Sequence, residues 1–134
     1  MPMITTRNLS LYQTPGLRAS GNSRKMTRGE IWWADFGFPH GSEAGHTHPV
    51  IIVQDNPFNE SKIKTIVVLN IRLMDAPGNM FVGKMESKLR EDSVIIVAQL
   101  YALDRGRFME KISKTGSMTM KEVDAGLKLV LGIS

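Results

Sequence analysis

Cysteine is absent from all 134 residues, which excludes disulfides, thiolate metal sites and a thiol nucleophile and is compatible with a reducing compartment. Long apolar runs are absent as well. The longest are of the "VIIV" kind, far short of the roughly 18 to 20 residues that a membrane helix needs. A soluble, cytoplasmic protein with no membrane partner is expected. Acid is missing from one part of the chain: residues 1–25 carry Arg7, Arg18, Arg24 and Lys25 but no Asp or Glu, whereas residues 26–134 hold the other 13 basic and all 13 acidic residues. The whole net charge of +4 therefore belongs to the first segment. The remainder is neutral, and any nucleic-acid site on it must be a local patch.

Residues 1–25 are rich in Ser, Thr, Asn and Gly with no lasting period, the composition of a disordered arm. Three meanings stay open for this arm: electrostatic attraction to nucleic acid, a transit peptide, or a segment of little function. Met26, followed at once by "TRGEIWWADF", could equally be the start of translation. Residues 26–134 make one domain, and at this size a chain buries roughly two-thirds of its unfolded surface without staples.

What is present is a series of short β-type runs. "EIWWADF" (Glu30 to Phe36) predicts an aromatic strand closed by "GFPHG". "PVIIVQ" (Pro49 to Gln54) and "KTIVVLNI" (Lys64 to Ile71) predict buried central strands, with "DNPFN" between them. "DAPGN" predicts a turn, "MFVGKM" a weaker strand, "SVIIVAQLYAL" (Ser93 to Leu103) a long one, and "FMEKIS" (Phe108 to Ser113) the last. Six strands without an intervening helix predict a closed or nearly closed antiparallel barrel. Thr119 and Glu122 have the spacing of a capping box, and Met120, Val123, Leu127, Val130 and Leu131 fall on one helical stripe. The C-terminus is predicted as one amphipathic helix, packed on the barrel or on a partner, and the fold class as mainly β with a C-terminal α-helix.

The segments "RGEIWWADFG", "GSEAG" with "HPVIIVQ" and "FN", and "SVIIVAQLYALDRGRFMEKI", followed by a closing helix, resemble the MazF/PemK (Kid) toxins of bacterial toxin–antitoxin pairs over about residues 26–134. The resemblance implies an SH3-like barrel, a homodimer, cleavage of single-stranded RNA at short motifs with no metal or other cofactor, and neutralisation by a cognate antitoxin. The family's loop usually ends in Arg-Pro, its arginine being catalytic, and here His48 precedes Pro49. A threonine near the end of the third strand is the second catalytic position in the MazF branch. That place falls on Asn70, or on Ile71 if the register slips by one. The Kid branch has an aspartate before the fifth-strand glutamine, where this chain has Ala98 before Gln99.

Cutting RNA without metal needs a base for the 2′-hydroxyl proton, an acid for the leaving 5′-oxygen, and a cation near the phosphoryl oxygens. His46 and His48 are two apart, so in an extended segment they point to one side. Imidazoles suit the acid and base roles. Arg72, expected just past the third strand, could replace the lost arginine, and Glu43 could fix the loop or a histidine tautomer. Gln99 and Asn70 could hydrogen-bond unstacked bases, and Phe38 could stack on one. Of Trp32 and Trp33, on opposite faces of the first strand, one should be core and the other a dimer contact or a stacking platform. "DRGR" (Asp104 to Arg107) predicts a turn that places Arg105 and Arg107 on the surface, as phosphate contacts or as solvated charges.

Other readings stay open beside these. The two histidines could be solvated loop residues, and His40, His46 and His48 could bind a metal, although no further ligand follows at motif spacing. Two alternatives to the nuclease are a catalytically impaired paralogue that binds RNA or antitoxin, and a gyrase poison of the CcdB type, which shares the barrel.

Overall fold

The computed structural model describes residues 24–37, 47–73, 80–82, 89 and 92–134. The expected loop residues Phe38, His40, Glu43 and His46, the "DAPGN" turn and nearly all of the arm lie outside them. The order of elements is β1 (Glu30–Asp35), β2 (Thr47–Ile52), a one-turn helix α1 (Asn56–Asn59), β3 (Thr65–Leu73), β4 (Met80–Val82), β5 (Ser93–Asp104), a 3₁₀ turn (Arg105–Arg107), β6 (Phe108–Lys114) and α2 (Ser117–Leu131). The strands form one antiparallel sheet in the order β4-β5-β3-β2-β1-β6. The mainly β architecture with a closing helix is as expected. The hydrogen-bonded circuit is open, with β4 and β6 at its two ends.

Both faces of the sheet are buried, which is why the central strands read as continuous apolar runs. On one face Ile31, Ile51, Leu69, Ile71, Ile95 and Val97 pack with Val123, Met120 and Leu127 of α2. On the other, the inner face, Trp32, Ala34, Val50, Ile52, Ile66, Val68, Leu103 and Phe108 form a second core, with Met26 inserted into it. Alternation at period two sends successive residues of each strand to these two cores. Trp32 is the core tryptophan of the pair, meeting Phe108 edge-on at 5.8 Å, and Trp33 is half-buried.

Glu30 shows how the inner core tolerates a charge. It is only 4 % exposed, yet its Oε1 accepts from the Thr27 N–H and the Trp32 indole, and its Oε2 lies 3.0 Å from Lys111 Nζ. Burial by itself would raise its pKa. The Thr27, Trp32 and Lys111 hydrogen bonds outweigh that and hold the carboxyl below its ordinary value.

Two expectations are corrected. The chain between β2 and β3 is not all loop: Asp55 caps α1, with Pro57 in its first turn and the Asn59 carboxamide bonded to Gln54 and Asn56. The Thr119–Glu122 pair does not cap α2, because the helix starts at Ser117 and its cap position is Gly116, which has no side chain to offer. Only the first part of the apolar stripe is covered. Val123 is fully buried, whereas Val130 and Leu131 are exposed together with Leu129 and Ile133. Gly126 lets α2 approach β5 closely, since a Cβ there would stand 3.1 Å from Val97.

Described residues ahead of β1 also contact the sheet. Arg24 sits 5.1 Å over the Trp32 ring and donates to the Met109 carbonyl. Met26 is buried against the inner core.

Candidate active site

Strand pairing brings the polar residues of β2, β3 and β5 to one edge of the inner core. β2 begins at Thr47, so His48 stands in a strand and not in the loop, opposite Ala34 of β1. Two residues on, Val50 pairs with Asn70 of β3, and Val68 pairs with Tyr101 of β5. Partners across a ladder share a face, so His48, Asn70 and Tyr101 lie on the side of Trp32 and Val50. Of the two residues at the end of the third strand, Asn70 shares the inner face with His48, and Ile71 packs in the core beneath α2. Arg72 follows Asn70 by two on the same face, inside β3 and exposed.

Gln99 arrives by a different route. Leu69 pairs with Leu100 but Asn70 pairs with Ile96, so Val97, Ala98 and Gln99 are extra residues on β5. Such a bulge bends the strand and re-aims its side chains. Its result is a direct bond from Asn70 Nδ2 to Gln99 Oε1 at 2.9 Å. Asn70 is 4 % exposed, and among the described residues its Oδ1 has no hydrogen-bond partner. A buried amide oxygen left this way costs about 1–3 kcal/mol, and such orphans are rare enough to need an explanation.

Two aromatic residues complete the edge. Phe36, just after β1, meets the His48 ring at 5.3 Å and the Tyr101 ring at 5.4 Å, both edge-to-face. Neither was singled out from the sequence. Period two places Phe36 and Tyr101 on the inner face, but nothing in one dimension places them beside each other.

Arg105 is elsewhere and does other work. Its Nε donates to the Ile63 carbonyl, and its terminal nitrogens donate to Asn59 and, at longer range, Phe58 and Ser61. Burial lowers its pKa, and the carbonyls around it make it a clasp on the segment after α1. The expected surface placement is thus corrected: the guanidinium is held by protein carbonyls. Arg107 of the same turn is exposed. The described residues contain no group of three His, Asp or Glu placed to hold a metal ion.

The sequence model of the family described as PemK-like, MazF-like toxin of type II toxin–antitoxin system matches residues 27–131. The chain belongs to that family. It is 33 % identical over 112 residues to the endoribonuclease MazF2 of Mycobacterium bovis and, equally, to the endoribonuclease MazF6 of Mycobacterium tuberculosis. Each alignment covers 81 % of this chain and 98 % of the relative. Among solved structures, MazF of Deinococcus radiodurans superposes with a TM-score of 0.65 at 20 % identity, over 81 % of this chain and 98 % of that one. A mycobacterial endoribonuclease in complex with its cognate antitoxin gives 0.62 at 17 % identity, over 82 % and 96 %. These structural likenesses establish the fold, an open antiparallel sheet of the SH3-like kind with a C-terminal helix rather than a closed barrel, and the sequence match establishes the family. Within the described residues no helix is long and apolar enough to cross a membrane.

Proposed function

We propose that this chain is an endoribonuclease toxin that cuts single-stranded RNA at a short motif, acts as a cytoplasmic homodimer and is neutralised by a cognate antitoxin. The observation that carries the reading is the gathering of His48, Asn70, Gln99 and Arg72 at one edge of the inner core in a chain of this family. The relatives named endoribonucleases and the solved toxin–antitoxin complex support it.

In the reaction the 2′-oxygen attacks the adjacent phosphorus, a base removes its proton, and the bond to the 5′-oxygen breaks as that oxygen is protonated. The products are a 2′,3′-cyclic phosphate and a 5′-hydroxyl. His48 and His46 serve as the acid and base pair, and the edge-on Phe36 ring limits how the His48 imidazole can turn. Arg72 supplies positive charge to the phosphoryl oxygens. Asn70 Oδ1 receives a hydrogen bond from the bound RNA, which gives the orphaned oxygen its partner, and Gln99 contacts a base. Glu43 and Phe38 extend the RNA contacts from the preceding loop. The exposed Leu129, Val130, Leu131 and Ile133 at the end of α2 give the second protomer an apolar surface to cover.

The test is incubation of purified protein with a long RNA, once in EDTA and once with added magnesium, followed by sequencing of the ends. Cleavage at one short motif under both conditions is expected, with a loss of roughly 10²- to 10⁴-fold in His48→Ala. Intact RNA in both tubes would refute the reading.

A further inference from the structure

We propose that Tyr101, backed by Phe36, is a stacking platform for one base of the RNA strand, next to the nucleotide at which the chain is cut. The proposal rests on the nuclease reading and adds to it a residue that sets substrate affinity. Single exposed aromatics are ordinary on protein surfaces, and four features distinguish this one.

First, Tyr101 is 42 % exposed on the site-facing side of β5, opposite buried Val68. Its ring meets Phe36 at an interplanar angle of 69°, an edge-to-face contact that occupies at most one of its two faces. Among the described residues the rest of the ring is exposed enough to meet a ligand. Second, the ring is held in place before any ligand arrives, so little rotamer freedom is lost on binding. Third, Phe36 also touches His48, so a single ring separates the platform from the proposed acid–base group. A base on Tyr101 therefore belongs to the cut nucleotide or to its immediate neighbour. Fourth, the amide pair of Asn70 and Gln99 lies at the same edge, Gln99 two residues before Tyr101 on β5, with a buried oxygen awaiting a donor.

An aromatic face beside hydrogen-bonding amides is the arrangement by which single-stranded RNA is held and read. Stacking tolerates any base, because every base has a π face. Tyr101 should therefore contribute affinity and position, and the amides should contribute preference. Binding that is equal in the ground and transition states raises KM on removal without lowering kcat.

The experiment uses the full chain and a short RNA carrying the motif found by end sequencing. One copy is made uncleavable by a 2′-deoxy sugar at the cut nucleotide and carries 2-aminopurine at each flanking position in turn, since stacking quenches that fluorophore. The expected result is quenching at one position by the native protein. In Tyr101→Ala the quench is lost, Kd rises about 5- to 30-fold, and KM rises while kcat changes little; Tyr101→Phe keeps both quench and affinity. If the native protein cleaves but no position is quenched, or if Tyr101→Ala binds as tightly as the native chain, the platform is overturned and the nuclease reading stands. If only affinity for an antitoxin protein falls in Tyr101→Ala, the ring is a protein-docking residue and the platform is likewise overturned. Failure of the native protein to cut or bind any RNA overturns the parent reading instead. Far-ultraviolet circular dichroism of each variant keeps a folding defect from passing for a lost contact.

Discussion

Replacing Asn70 with valine should make this protein more stable and less active at once. Asn70 sits between Val68 and Arg72 on β3, opposite Val50 on β2, with its Oδ1 buried and unpaired. Removing that oxygen relieves a desolvation cost of about 1–3 kcal/mol, and losing the bond to Gln99 forfeits about 0.5–1.5 kcal/mol. Gln99 is half-buried, so water can take over as partner for its released amide. Valine also suits a strand interior better than asparagine. The balance is a gain of about 0.5–2 kcal/mol, or a rise of a few degrees in Tm for a domain of this size. Turning both amides over together keeps the pair and changes the orphan from acceptor to donor, at a similar cost. The assay is urea unfolding at one fixed protein concentration, since dimerisation would otherwise shift the midpoint, alongside cleavage of a motif-bearing RNA. A loss of stability greater than about 1 kcal/mol would show that the Asn70 carboxamide is fully satisfied. Unchanged cleavage would show that the orphaned oxygen has no part in function.

Three further outcomes are expected. His48→Arg replaces a group able to exchange a proton with a permanently charged one, so the pH–rate profiles of the two proteins should differ in shape, and superimposable profiles would remove His48 from the chemistry. Glu30→Gln should cost about 1–2 kcal/mol at neutral pH, because the contact with Lys111 loses its charge. The Glu30 pKa is lowered in the folded state, so its stabilisation is present above the ordinary carboxylate range and lost as pH falls through the folded value. The variant's stability should accordingly fall less steeply on acidification, as followed by unfolding between pH 7 and 3, and parallel curves would contradict this. Deleting residues 1–23 removes Arg7 and Arg18 but spares Arg24, which is tied to Trp32 and Met109. If the arm meets RNA, the slope of log K against log salt should shrink by at most about 1.4, at roughly 0.7 per phosphate contact on a single strand; an identical slope would mean that these arginines do not touch it.

The strands along the chain, the buried character of β2, β3 and β5 and the closing helix were legible in the sequence, because apolar period and turn residues are local properties. So was the resemblance to the toxin family, which rests on short contiguous segments. The helix start was misread because Thr119 and Glu122 satisfy a spacing rule that says nothing about where the chain turns into the helix. Arg105 was misread for a related reason: a charged residue in a turn looks solvated until the carbonyls of a segment more than 40 residues earlier close around it. The site itself was decided by tertiary structure. Period two assigns Asn70 and Ile71 to opposite faces but cannot say which face shares the inner core with Trp32, and pairing with Val50 does. The bond between Asn70 and Gln99 depends on a bulge in β5, and the contacts of Phe36 with His48 and Tyr101 join the residue after β1 to β2 and β5. Local sequence determines which residues are suited to a strand; the register between strands, set by the packing of two cores at once, determines which of them meet.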